Sequence, residues 1–283
     1  MTLSHRLGLI LVAISTLAWS TAGLFTRAIH EDLLTVIVWR GFFGMIGLLV
    51  VLVVMQGAPG LRNLVRLGSA GWLYALISGL GMLCYITALR ETSIAHVAII
   101  YAVVPFMTAG LAWVMLGTPP SRSALAASIV ALAGSVVMVG LGSEGTLLGD
   151  GLALLMTFGM ALMMVIARWH PDIPTLPAGI MSQVISIAFC LPFIGIATPA
   201  ADQLLLLAGF GIVNSSIGFS LFLLGSTRIA PIETALLGAL EAPIAPLWVW
   251  LVFSETPDLA TLAGGAIVFA AVFWHIRGQS RAG

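Results

Sequence analysis

The stretch "EAPIAPLWVWLVFSETPD" occupies residues 241–258; slid back by 138 positions it falls on "VVPFMTAGLAWVMLGTPP", residues 103–120. Pro105 meets Pro243, and Thr118-Pro119 meets Thr256-Pro257. Further back in the same register, Ser78 meets Ser216 and Arg90 meets Arg228. Toward the start of each half the shift becomes about 141, pairing Gly8 with Gly149 and Arg27 with Arg168. Both copies are apolar yet hold helix-breaking prolines, and the second also holds a carboxylate, Glu241. Each of these costs free energy inside a buried helix. The pattern therefore asks what the chain gains from them.

Composition answers in part. The chain is 60% hydrophobic and 8% charged, against about 25% charged residues in soluble domains. Such a chain cannot cover a water-facing surface and reads as an integral membrane protein. Every basic residue is arginine and the formal net charge is zero, so nothing points to a nucleic-acid partner. Windows of about 20 apolar residues, the length of a bilayer-spanning helix, give ten candidates. They run over 7–28, 33–55, 69–89, 93–116, 122–141, 147–168, 178–197, 203–225, 231–253 and 259–276. The first apolar run exceeds the core of a signal peptide and has no clear A-x-A site, so it reads as a retained helix. Continuous rather than alternating apolarity argues against a β-barrel.

With the N-terminus in the cytoplasm, Arg6, Arg62, Arg66, Arg122, Arg168, Arg228, Arg277 and Arg281 lie inside. Arg27 and Arg90 lie outside, and Arg40 falls within the second span. The positive-inside rule then gives N-in, C-in; the acidic residues, Glu144, Asp150 and Glu255 among them, fall mostly outside. Five spans per half is an odd number, so the second half is inverted in the membrane. The expected fold is all-α, with a first five-helix repeat over 1–143 and an inverted one over 144–283. Inverted repeats with proline-interrupted helices at matching positions point to a secondary transporter with its site near the midplane.

The residues also carry a resemblance. "ALRETSIAHVAIIYAVVPFMTAGLAWVML" (88–116) and "ALLGALEAPIAPLWVWLVFSE" (235–255) resemble the fourth and ninth helices of EamA-type members of the drug/metabolite transporter superfamily. The likeness covers nearly the whole chain, and in texture it is most similar to the YddG-type amino-acid exporters. One departure is Gly117, where the second half has the acidic Glu255. The resemblance implies export of small metabolites, amino acids first, by a multi-pass protein of a bacterial inner (plasma) membrane.

Candidate site residues follow from position. Glu241 is either a proton or substrate-amine site or a carboxylate that stabilises the kink; Val103 at the matching position favours the local, structural use. Arg40 reads first as a side chain snorkelling outward, second as a partner for a carboxylate or a holder of a substrate carboxylate. Ser78, Met82 and Tyr85 share one helical face, and their repeat-mates Ser216, Ser220 and Leu223 share another; two such walls enclose a wet pathway, unless the serines only permit close packing. Tyr101, Pro105 and Thr108 share a face of the fourth helix, with His96 near its outer end, read first as a hydrogen-bonded structural histidine and second as a proton carrier. Met156, Met160 and Met163 form a soft stripe, and Trp19 is a candidate aromatic wall. Trp248 and Trp250 read as interfacial belt residues, and Asn214 as a polar group in the eighth helix. Pro105 and Pro243 are the expected hinges.

Cys84 and Cys190 lie in apolar runs without metal or CxxC spacing, so free thiols, no metal and no cofactor are expected. No nucleophile–base set, HExxH, Walker loop or GxGxxG appears, which leaves an enzyme or an ATP-driven pump unsupported. The expected partners are a small-molecule substrate and the lipid bilayer, with the chain acting as a monomer. A multidrug or nucleobase exporter is the alternative; a channel or intramembrane enzyme stands further off.

Overall fold

A computed structural model describes residues 3–92, 94–140, 146–193, 199–254 and 256–282. The repeat boundary at 143/144, Glu144 and Glu255 lie outside the described residues, as do the side chains of Arg90 and Arg281. Among the described residues, ten helices are long and apolar enough to span a bilayer. They are α1 Leu3–Ala28, α2 Leu33–Arg62, α3 Gly68–Ala88, α4 His96–Leu116, α5 Arg122–Val139, α6 Leu147–Trp169, α7 Thr175–Phe193, α8 Ala201–Ser226, α9 Pro231–Phe253 and α10 Leu259–Gly278. The sequence windows match these bounds closely, with one instructive difference. Helix α2 continues past residue 55, but Gly57 (φ 66°, ψ −164°) divides it just before Pro59.

Helix contacts obey the repeat. Exchanging the halves turns α3 on α6 into α8 on α1, α2 on α8 into α7 on α3, and α4 on α6 into α9 on α1; every one of these contacts is present. The pairs α2–α7, α4–α9 and α5–α10 each join a helix to its own repeat-mate. The glycine pair read from sequence takes equivalent places. A Cβ on Gly8 would meet Ile229 at 2.6 Å and Arg228 at 2.8 Å, and one on Gly149 would meet Thr92 at 2.6 Å. Each glycine thus presses the start of α1 or α6 onto the α8–α9 or α3–α4 connection.

The same places carry histidine–carboxylate contacts with exchanged partners. At the end of the bundle bearing both termini, His5 Nε2 of α1 lies 3.0 Å from Glu233 Oε2 of α9. At the opposite end, His96 Nδ1 of α4 lies 3.1 Å from Asp150 Oδ1 of α6, whose carboxylate also accepts from Thr92 Oγ1 at 2.7 Å. His96, a candidate binding residue by sequence, is therefore engaged in holding α4 to α6.

Helices α4 and α9 are both broken. The α4 span lies on two helices, Ile94–Tyr101 and Val104–Leu116, and α9 on Pro231–Gly238 and Glu241–Phe253. Their second segments end alike in left-handed caps, Gly117 at φ 66° and Ser254 at φ 57°. The sequence expectation placed the prolines in mid-helix, freeing carbonyls. The structure corrects this: Pro105 and Pro243 lie in the first turns of the second segments, where a missing N–H costs no helical bond. Only Pro246 is interior. What the first-turn prolines prevent is a continuous helix, since neither can donate to the residue four positions earlier, Tyr101 or Ala239. Pro105→Ala and Pro243→Ala should therefore each slow transport several-fold while leaving thermal stability within about 1 kcal/mol of the parent. Flux in liposomes beside a detergent melt checks this; unchanged flux in both variants would remove the hinge role.

Candidate functional site

The two halves differ most along the stripe shared by α3 and α8. Tyr85 keeps 38% of its surface accessible, whereas its repeat-mate Leu223 has none. The first segments of the broken helices differ in the same sense. Every residue of Pro231–Gly238 in α9 is buried, but over 96–101 in α4 only Val97 is. The first segment of α4 is thus less fully covered than that of α9.

The terminal end is filled by side chains. Leu48, Leu52, Tyr74, Met163, Met164, Leu176, Ile180, Phe222 and Leu223 form one continuous buried cluster there. Above it lies an aromatic floor: Trp19 stands 4.9 Å from Phe222 and 6.5 Å from Phe219, centroid to centroid. Trp19 is fixed from the far side. Its Nε1 donates to the Asn214 carbonyl at 3.1 Å, and Asn214 Nδ2 returns bonds to Ala18 O and Thr21 Oγ1, both at 3.0 Å. Asn214 lies in a π-helical stretch, Gly211–Gly218, whose wider turn offers carbonyls to outside donors. The indole also explains Gly218, where a Cβ would meet Trp19 Cδ1 at 2.8 Å.

Glu241 is the first residue of the second segment of α9. The positive end of that half-helix dipole stabilises a carboxylate, which answers what a charge gains from standing beside a break. The Glu241 side chain forms no hydrogen bond or ion pair with a described residue and is partly accessible. It stands within electrostatic reach of the Tyr85 and Tyr101 hydroxyls. Tyr101 is half-buried, as is Met160, and both border the core cluster that Trp19 also borders. Trp19, Tyr85, Tyr101, Met160 and Glu241 are thus brought to one region by α1, α3, α4, α6 and α9.

Other candidates are not. Ser216, 2% accessible, donates to the Gly44 carbonyl at 3.1 Å and belongs to the α8–α2 contact. Ser220 is buried and bonds back to Ile217 O at 3.1 Å. Met82 packs on the Ile37–Ile86–Cys190 cluster between α2, α3 and α7. Ser78 is half-buried. Met156 and Met163 are buried in packing. Trp248, expected at the interface, instead donates Nε1 to Ser20 Oγ of α1 at 2.8 Å. The sequence reading missed Phe219, Phe222 and Tyr74. Tyr74 lies on the Ser78–Tyr85 stripe, and that spacing was a signal available for it; the two phenylalanines look like any lipid-facing pair until the π-helix turns them inward.

A model of the EamA-like transporter family matches residues 6–140 and matches again over 147–277. The chain belongs to the EamA-like transporter family. A protein of Archaeoglobus fulgidus described as an uncharacterized transporter is 25% identical over 275 residues, covering 94% of this EamA-like chain and 95% of its own. A crystal structure of a protein superposes with a TM-score of 0.79 over 94% of both chains at 19% identity, a likeness that bears on the fold alone. An EamA-like chain with ten apolar helices is a multi-pass membrane transporter, and the family points away from an enzyme.

Proposed function

We propose that this EamA-like protein exports small neutral or zwitterionic metabolites, amino acids first, from the cytoplasm of a bacterial cell across its inner membrane by alternating access. The observation that carries the reading is an asymmetry between repeat-mates, Tyr85 being 38% accessible and Leu223 buried, beside the aromatic group of Trp19, Phe219 and Phe222. Few fixed charges suit a net-neutral solute and disfavour a polyanion. On the orientation given by the arginines, the closed end is cytoplasmic and the open end external, the arrangement in which an exporter releases its load. The first segment of α9 and the aromatic floor would then part to admit substrate from inside.

The test is flux into liposomes holding purified protein, with a panel of labelled amino acids and with and without a pH gradient. Saturable flux of neutral and aromatic amino acids is expected. No flux for any amino acid, together with movement of a lipophilic aromatic cation, would replace this reading with a multidrug exporter. The observation that would favour that alternative is the same floor of Trp19, Phe219 and Phe222 near a lone acid, which suits a flat cation.

A further inference from the structure

Two arginines within the spans have opposite surroundings. Arg40, expected to snorkel outward, is 8% accessible, with its Cζ 5.2 Å from the centroid of the Phe210 ring of α8. Arg277 of α10 is exposed, and its Cζ lies 4.2 Å from the centroid of the Phe273 ring, one turn earlier on the same helix. It forms no hydrogen bond or ion pair with a described residue. From Leu259, where α10 begins, the helix rises about 27 Å to Arg277, nearly the thickness of a hydrocarbon core. Arg277 therefore stands at headgroup level in the leaflet on the side of the C-terminus, the cytoplasmic one on the orientation given by the arginines.

Ala270, Phe273, Trp274, Arg277 and Gly278 line a groove of about 390 Å³ along this helix. Their spacing of i, i+3, i+4, i+7 and i+8 is one stripe of a helix surface. The opposite face of α10 is taken up by the bundle: Val268 and Ala271 pack with Ala131 of α5, and His275 Nδ1 lies 3.3 Å from Ser123 Oγ at the start of α5. The stripe looks away from the bundle, with Phe273 56% and Trp274 54% accessible. Toward the membrane centre the same side continues in the exposed Leu262, Ala266 and Phe269, so an apolar track ends in a cation. Neither the α5 nor the α10 span carries an acidic residue, and Arg122 opens α5 at the same end as Arg277.

We propose that the outer face of α10 is a binding site for an anionic phospholipid, whose phosphate is held by Arg277 and whose acyl chain lies along Phe273, Phe269 and Leu262. The planar fork of arginine is matched to a phosphate, and the rings of Phe273 and Trp274 suit the interface at which it sits. A zwitterionic lipid brings its own ammonium beside the phosphate, so the anionic lipid gains more from Arg277. A second copy of the chain is a worse occupant. Copies share one orientation in a membrane, so a two-fold α10–α10 contact is parallel and sets Arg277 against Arg277. It would also place bulky rings where close helix contacts in lipid favour small residues. The site holds whichever solute the protein carries.

The experiment places the full chain in phosphatidylcholine nanodiscs doped with a lipid brominated on its acyl chain, either phosphatidylglycerol or phosphatidylcholine, and reads tryptophan quenching. The emission of Trp274 is the difference between a protein and its Trp274→Phe counterpart. Its quenching should favour phosphatidylglycerol about fivefold, the effect of one arginine beside a lipid phosphate. Arg277→Gln should bring the ratio to about one, whereas Arg277→Lys, which keeps the charge without the fork, should retain part of the preference. The lysine variant also carries the test if the glutamine variant does not fold. Trp72 of α3, 43% accessible at the same end of the bundle, reports the general pull of the basic end when read through Trp72→Phe, and a smaller preference is expected there. A preference as large at Trp72, or one at Trp274 that survives Arg277→Gln, overturns the site. Equal quenching of Trp274 by the two lipids does the same. Quenching of Trp274 by neither lipid would mean that another protein surface covers this face, and the proposal falls.

Discussion

In a chain with Cys84 and Cys190 replaced by alanine, Tyr85→Cys should react with a membrane-impermeant maleimide roughly a hundred-fold faster than Leu223→Cys. The factor corresponds to an opening cost of about 2.7 kcal/mol at the closed end. These two positions are repeat-mates, so in a molecule with perfect two-fold symmetry their rates would be equal. They differ because the fold covers one and not the other: Tyr85 is 38% accessible and Leu223 is 0%. The reagent should act from outside the cell, and inverted vesicles should protect Tyr85→Cys. Equal rates, or faster reaction of Leu223→Cys from the cytoplasmic side, would refute the closed-inside arrangement. A substrate that drives the pathway inward-open should bring the two rates toward each other.

The largest stability loss is expected from Gly264→Leu. Helices α5 and α10 form a close pair at this point, and a Cβ on residue 264 would meet Met138 N at 2.6 Å and Met138 Cα at 2.8 Å. Both obstacles are backbone, so no rotamer change relieves the clash and the helices must separate. Overpacking of this kind costs about 3 kcal/mol, and a protein of this size loses roughly 10 °C in Tm for that amount. The control is Gly110→Ala, where a Cβ would meet nothing within 4 Å and the melt should not fall. A Gly264→Leu protein that melts with the parent would show that the α5–α10 contact is not close in solution.

Some of this architecture is written in local chemistry. Ten spans follow from apolar length because lipid offers no hydrogen bonds, so every crossing segment must be a helix that satisfies itself. The inverted repeat follows from Pro105 and Pro243, Gly8 and Gly149, whose spacing survives because each member does the same steric task in its half. The breaks in α4 and α9 were legible from the prolines, although not their place one turn earlier, because a first-turn proline and an interior one look the same in sequence.

Tertiary structure decided the rest. Hydrophobicity cannot tell a serine that lines water from one that lets two backbones touch, and Ser216 proved to be the second because Gly44 of a distant helix lies against it. The same limit hid the partners of His96, Trp248 and Arg40, which come from other spans and depend on how helices rotate about their axes. Above all, a nearly symmetric sequence cannot say which member of a repeat pair the fold covers. That is decided by packing between distant spans: Leu223 is buried with Phe222 in the core cluster, while Tyr85, its repeat-mate, keeps 38% of its surface accessible.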